Sequence, residues 1–333
     1  MNEKSSRRAF LSAIALAAAA LPRGSTRALA AEVPSPATPA TDAIPILDTH
    51  IHLFDPTRPQ GVPWPGKTDT AIYRPALPAR YRDVTKPSGV VGALAVECSP
   101  WLEDNQWVLD IAARDTLIVG VVGNLEPGQP EFARQLERFQ KNPLFRGIRS
   151  GNLWGRNLGA AVDKPQGVAD FKLLAEAGLT LDTASPTPRL LADVVRLTDL
   201  VPRLRIVIDH LPASDRPTDT AAAATYETSL RELGQRPQVY VKVSEVLRRV
   251  QGAIAYDAAA YRPRLLEILG TFGPDRLLFG SDWPNSDPFG TYSQVLGVVR
   301  PFFLAQGRAV AEKFFWKNSV TAYRWKKREP GQP

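Results

Sequence analysis

The sequence predicts one (β/α)8 barrel, an α/β fold, preceded by an N-terminal segment of different character. Three observations predict it. Eight short apolar runs recur roughly every 25–45 residues with helical patterns between them, the signature of βα units around a parallel sheet. The 333 residues suffice for two ordinary domains or one large barrel, and eight units argue for the barrel. Three of the runs end in residues capable of chemistry: His50 and His52, then His210, then Asp282. In such a barrel the C-terminal strand ends share one mouth, so these residues are expected to converge there.

The chain opens on Ser6-Arg7-Arg8-Ala9-Phe10-Leu11, continues as an uncharged run to Leu21, and reaches Ala28-Leu29-Ala30. Paired arginines, an apolar stretch and small residues at a cleavage spacing resemble a twin-arginine export signal. The run from Ala9 to Leu21 is too short to span a membrane comfortably, so no stable anchor is expected. The resemblance implies the twin-arginine export machinery as a partner and a mature protein working in the periplasm or elsewhere outside the cytoplasm. Residues 31–43, rich in Pro, Ala and Thr, read as a linker that cannot bury a core. The barrel is then expected over residues 44–328.

Strand one is read in the stretch Ile46-Leu47-Asp48-Thr49-His50-Ile51-His52-Leu53-Phe54-Asp55-Pro56, which begins apolar, and a two-residue period sends His50 and His52 to the same side. A Pro-rich excursion over 55–88, containing Trp64, Tyr73 and Tyr81, follows. A loop that long is usually functional, here a lid over the pocket. Strands two and three are read at 91–97 and 117–123, with helices over about 103–115 and 130–140. Strand four is 145–149, and strand five, 179–182, is entered from a helix near 168–177 through Gly178. Strands six, seven and eight are 204–210, 238–243 and 276–281, separated by helices at about 188–199, 221–233 and 258–270. The segment from Val310 to Trp325 reads as a closing helix with an aromatic face.

Composition is that of a globular chain, 44% hydrophobic and 23% charged. The formal charge is +7, but residues 1–30 hold five basic residues against Glu3. About +3 remains for the rest, which excludes a nucleic-acid footprint. Cys98 is the only cysteine, so no intrachain disulfide forms, and its apolar neighbours make it a small core residue.

Asp48-Thr49-His50-Ile51-His52, Ile208-Asp209-His210-Leu211 and Gly280-Ser281-Asp282-Trp283-Pro284, in this order, resemble the amidohydrolase superfamily. Within it they are similar to the amidohydrolase-2 branch, which includes lactonases acting on sugar lactones and on pyrone dicarboxylate. Val239 to Ser244 and the terminal Asn318 and Tyr323 fit that branch, and the resemblance runs from Ile44 to about Trp325. It implies a hydrolase that opens a cyclic ester of a small molecule. Many relatives bridge two metals through a strand-four lysine or glutamate and add a strand-five histidine. Here strand four ends in Arg149-Ser150 and strand five in Asp182-Thr183. A binuclear site is therefore not expected. The expectation is a site with no cofactor, because Arg149 puts a permanent positive charge in the mouth. One divalent ion such as zinc on His50, His52, His210 and Asp282 remains the alternative.

In this reading Asp282 is the general base that takes a proton from water. His50, His52 and His210 polarise the carbonyl oxygen as charge develops. Arg149 clamps a carboxylate or hydroxyl of the substrate, Trp283 stacks on it or packs in the core, and Glu97 binds hydroxyls or pairs with a cation. Asp48 and Asp209 support the neighbouring histidines, and Lys242 pairs with an internal acid. The alternatives are a metal-dependent decarboxylase of an aromatic acid and a non-catalytic extracytoplasmic binding protein.

Overall fold

The computed structural model describes residues 43–184, 186–213, 216–250 and 252–333. The expected export signal, residues 1–30, and the linker as far as residue 42 lie outside them. Eight parallel strands are hydrogen-bonded in chain order: Ile46–Ile51, Val90–Val96, Ile118–Gly123, Phe145–Arg149, Thr180–Thr183, Arg205–Ile208, Val239–Val243 and Leu277–Phe279. The eight predicted runs are these strands, and the architecture is the (β/α)8 barrel. A two-stranded antiparallel hairpin, Arg249–Val250 with Ala253–Ile254, follows strand seven and was not expected.

The seam between strands eight and one is closed by a few specific contacts. Asp282 N–H donates to His50 O at 2.9 Å, and His52 N–H donates to Trp283 O at 2.8 Å. Asp48 reinforces the seam: its Oδ1 accepts the Ser281 N–H at 2.9 Å and its Oδ2 accepts the Tyr81 and Tyr292 hydroxyls at 2.8 and 3.1 Å. Close approach requires Gly280, where a Cβ would lie 2.8 Å from that of His50 and 3.1 Å from that of Ser244.

The expected helices appear at Leu102–Arg114, Phe132–Gln140, Pro165–Glu176, Pro188–Leu200, Thr220–Gly234 and Arg262–Phe272. Their apolar stripes explain them: Phe132, Leu136 and Phe139 share one face and are all buried. Thr187 and Asp219 cap two of them by accepting the N–H of the third residue on. Three further helices, Pro78–Thr85, Leu158–Val162 and Tyr292–Ala305, were not anticipated. The last has a full capping box, Thr291 with Gln294, but Pro301 and a nearly continuous apolar sequence hide its period. The excursion over 55–88 is thus not one loop. The closing segment is also not one helix: Arg308–Glu312 and Asn318–Tyr323 flank a π turn at Lys313–Lys317.

Two apolar layers hold the barrel. The larger lies between strands and helices, and the smaller fills the barrel itself with Leu47, Val119, Val207, Leu278, Tyr323 and Trp325 among others. Tyr323 and Trp325 come from the C-terminal tail, which forms the barrel floor. Arg328 donates to the carbonyls of Ala112, Asp115 and Ile118, and Gln332 to those of Val91 and Thr116. No helix among the described residues is long and apolar enough to cross a membrane.

Candidate active site

His52 and His50 leave strand one on the same side, as their spacing dictates. His52 lines a cavity of about 420 Å³ at the mouth, while His50 is fully buried one layer behind it. The ring of His52 has a defined tautomer. Its Nδ1 lies 3.0 Å from Val96 O, and a carbonyl only accepts, so Nδ1 carries the proton. Nε2 then meets Asp282 Oδ1 at 3.2 Å. A lone pair facing a carboxylate at that distance calls for a cation between them, either a second proton on the ring or a metal ion. Burial, with Lys242 beside it, holds the pKa of His50 well below the usual histidine range, so this ring is neutral.

The other site residues are aimed by unusual backbone. His210, Glu245 and Asp282 follow strands six, seven and eight with φ of 58°, 51° and 61°, and Trp154 follows strand four at 59°. All four line the cavity. Left-handed backbone at a non-glycine residue costs about 1–3 kcal/mol and gathers at functional sites. Asp282 Oδ2 accepts from Asn285 at 2.7 Å, whereas its buried Oδ1 has no well-aligned donor. Burial pushes the Asp282 carboxyl up, but His210 and His52 outweigh it and hold it below the usual carboxylate range. Asp282 is therefore ionised.

Beneath the mouth runs a buried chain of charges. Lys242, inside the barrel on strand seven, lies 2.7 Å from Asp182 Oδ2, 3.0 Å from Asp209 Oδ1 and 3.4 Å from His50 Nδ1. Tyr323 links it to the floor by donating to Asp182 at 2.6 Å. Arg149 donates through Nε to Glu97 Oε1 at 2.9 Å and through Nη2 to Glu97 O at 2.6 Å, and its Nη1 lies 3.4 Å from His50 Nε2. Burial lowers the Arg149 pKa, but Glu97 and Asp209 outweigh it and raise it, so the group stays charged.

The residues present fit a divalent cation. His50, His52 and Asp282 place ligand atoms within 4.8 Å of one another, and Asp282 Oδ1 lacks a donor. The buried acids Glu97, Asp182, Asp209 and Asp282 also outnumber the fixed cations Arg149 and Lys242. The four-ligand set expected from the sequence does not form one cluster, however. His210 groups instead with His50 and Asp209, or with Glu245 and Asp282.

Of the residues singled out in the sequence, His52, His210, Asp282 and Arg149 line one cavity, with His50 directly behind. Glu97 does not line it: its carboxylate is engaged by Arg149 and by the Trp154 indole at 3.1 Å. Trp283 corrects the expectation of stacking on substrate. It is 1% exposed and packs on Tyr81, with Arg80 over its ring, because closure of the seam turns it away from the mouth. The aromatic wall is built by Trp64, from the 55–88 excursion, and by Trp154. Sequence reasoning missed Trp154, Glu245 and Asn285. All three follow strand ends, a signal that applied equally to strands four, seven and eight.

Residues 47–325 match the profile of a protein family described as Amidohydrolase. An L-fucono-1,5-lactonase of Burkholderia ambifaria is 29% identical over 255 residues, 74% of this chain and 83% of the relative. An amidohydrolase of Burkholderia multivorans, solved with bound zinc, superposes with a TM-score of 0.74 at 23% identity, covering 85% of this chain and all of that one. A putative 2-pyrone-4,6-dicarboxylic acid hydrolase of Pseudomonas putida superposes with a TM-score of 0.68 at 19% identity, covering 86% and 100%. At these identities the two solved structures show the common fold.

Proposed function

We propose that this chain, which belongs to the amidohydrolase family, is a hydrolase that opens a lactone at the barrel mouth. Lactones of a sugar or of a dicarboxylic acid are the substrate classes its relatives suggest. The observation that carries the reading is the ionised Asp282, whose donor-free Oδ1 sits beside His52 in a cavity that His210 and Arg149 also line. Water positioned at Asp282 attacks the carbonyl carbon and gives its proton to the carboxylate. The carbonyl oxygen becomes an oxyanion that His210 stabilises by hydrogen bonding, with the charge of Arg149 nearby. The intermediate collapses, the ring C–O bond breaks, and the departing oxygen takes the proton back from Asp282. The product is a hydroxy acid, which releases a proton at neutral pH.

Bound at His50, His52 and Asp282, a divalent cation would polarise the carbonyl and acidify water. The same cluster favours a second reading, a metal-dependent decarboxylase, marked by stoichiometric zinc and release of carbon dioxide. Paired arginines before an apolar stretch support export by the twin-arginine route and work outside the cytoplasm. The test is proton release by the mature protein on a panel of sugar and dicarboxylate lactones, beside Asp282→Asn. Turnover that disappears in the variant is expected. A folded protein that turns over none of the panel would overturn the reading, and turnover surviving the substitution would overturn the role of Asp282.

A further inference from the structure

Ser244 directly follows strand seven, is fully buried, and has no part in the chemistry above. Among the described residues its hydroxyl makes two hydrogen-bond contacts, both with His210. It accepts the His210 backbone N–H at 3.3 Å, and it lies 2.9 Å from His210 Nδ1. A buried hydroxyl must place its own hydrogen on an acceptor. Among the described residues, His210 Nδ1 is the acceptor available to it. Glu245 Oε2 stands 3.8 Å from the same nitrogen, beyond hydrogen-bonding distance.

From this geometry we infer that Ser244 is a positioning residue that fixes His210 in the Nε2–H tautomer. The hydroxyl hydrogen occupies the Nδ1 lone pair, so the ring proton resides on Nε2, the nitrogen left for the cavity. The bond from the His210 main-chain N–H to the same oxygen braces the left-handed residue that swings this ring into the mouth. One serine thus sets both where the ring points and what it offers. His52 is fixed oppositely, because the Val96 carbonyl accepts its Nδ1 proton, so the nitrogen turned to Asp282 is Nε2, the one without the tautomeric proton. The two histidines that line the cavity therefore differ in kind: the ring proton of His52 is held on Nδ1 by a carbonyl, and that of His210 on Nε2, where it can be donated. A donor is what a carbonyl oxygen needs as it becomes an oxyanion, and this catalytic consequence rests on the lactone-opening reading. The tautomer itself does not.

The chain holds only three histidines, so a 15N-histidine spectrum contains three side chains, and His210→Gln identifies the one in question. In the wild-type protein, with no substrate added, His210 is expected to show a protonated Nε2 and an unprotonated Nδ1. A protonated Nδ1, or an Nε2 without its proton, would overturn the assignment. Ser244→Ala removes the hydroxyl and is expected to lower kcat about 10–100-fold with KM little changed, while His210 loses its single tautomer. A folded Ser244→Ala protein that keeps both tautomer and rate would also overturn it. If that variant fails to fold, the wild-type spectrum still decides. If no lactone is turned over but the Nε2–H tautomer is found, the substrate reading fails and the role of Ser244 in fixing the ring stands.

Discussion

The two ends of this barrel are built on opposite terms. At the floor, polar groups of the C-terminal tail are tied down: Arg328 and Gln332 reach six carbonyls, and Tyr323 gives its hydroxyl to Asp182. At the mouth, Thr183 Oγ1 and Asp282 Oδ1 are buried without an aligned hydrogen-bond partner, while Asp209 beneath it is held by Lys242 and Arg149 as ion pairs. Among the described residues, four of the five non-glycine residues with positive φ are there as well. A buried acceptor without a donor costs about 1–3 kcal/mol. The difference teaches where to look for function in such a fold: the floor is tied together by the chain's own tail, and the mouth gathers strained backbone and an ionised carboxylate on one cavity.

The strongest test of that contrast is Asp282→Asn. It should lower kcat by about 10²–10⁴-fold, the range for loss of a general base, and leave the thermal midpoint unchanged or raised. A large stability loss in a thermal scan would mean that the mouth is structural too. The converse is Trp325→Ala at the floor. It should lower the unfolding free energy by about 3–5 kcal/mol in urea titration while turnover per folded molecule stays near wild type. Falling turnover would couple the floor directly to the chemistry.

Lys242 lies between the two ends and sharpens the boundary. Lys242→Met leaves Asp182 buried without its cation and Asp209 with Arg149 alone, 3.7 Å away, and should cost about 3–5 kcal/mol in the same titration. Adding Asp182→Asn should return part of that loss, and no recovery would rule out uncompensated charge as the cause. At the cavity wall Trp154→Ala should raise KM about 10-fold, roughly 1.4 kcal/mol, with kcat little altered. An unchanged KM would place substrate elsewhere.

The pH profile gives the smallest effect but a clear sign. A carboxyl whose folded pKa lies below its ordinary value keeps its base form to lower pH and loses it only as pH falls through the folded pKa. The acid limb of kcat/KM should therefore lie below about pH 4 if Asp282 is the group that titrates. A limb between about 6 and 7 would instead assign the base to a histidine.

The barrel was legible because eight apolar runs must be buried on both faces, and such runs announce themselves without knowledge of their partners. His52, His210 and Asp282 were legible for a related reason, since rare polar residues ended strands that were otherwise apolar. Trp283 stands beside Asp282 in the sequence yet faces the core, because the left-handed turn at Asp282 and the backbone bonds of the seam set its direction. Tertiary closure decides that, and no local pattern encodes it. The engagement of Arg149 by Glu97 was equally hidden, as it joins residues 52 positions apart. Helix Tyr292–Ala305 escaped notice because its exposed face carries Gly297, Pro301 and Leu304 where charged residues would have marked the period.

The seam also carries a consequence for how the molecule comes into being. Its contacts join residues more than two hundred positions apart, such as the Thr49 hydroxyl with Phe279 O and the Ser281 amide with Asp48. His52 and Asp282 face each other across that same join. Pairings of such separation are the slow ones, because the loop between them must be closed before the contact gives anything back. Catalytic competence should therefore be among the last properties the chain acquires. A ribosome-bound intermediate with seven strands would hold every histidine and still be inert. For a protein proposed to cross a membrane already folded, completion of the site would double as a mark of readiness to leave.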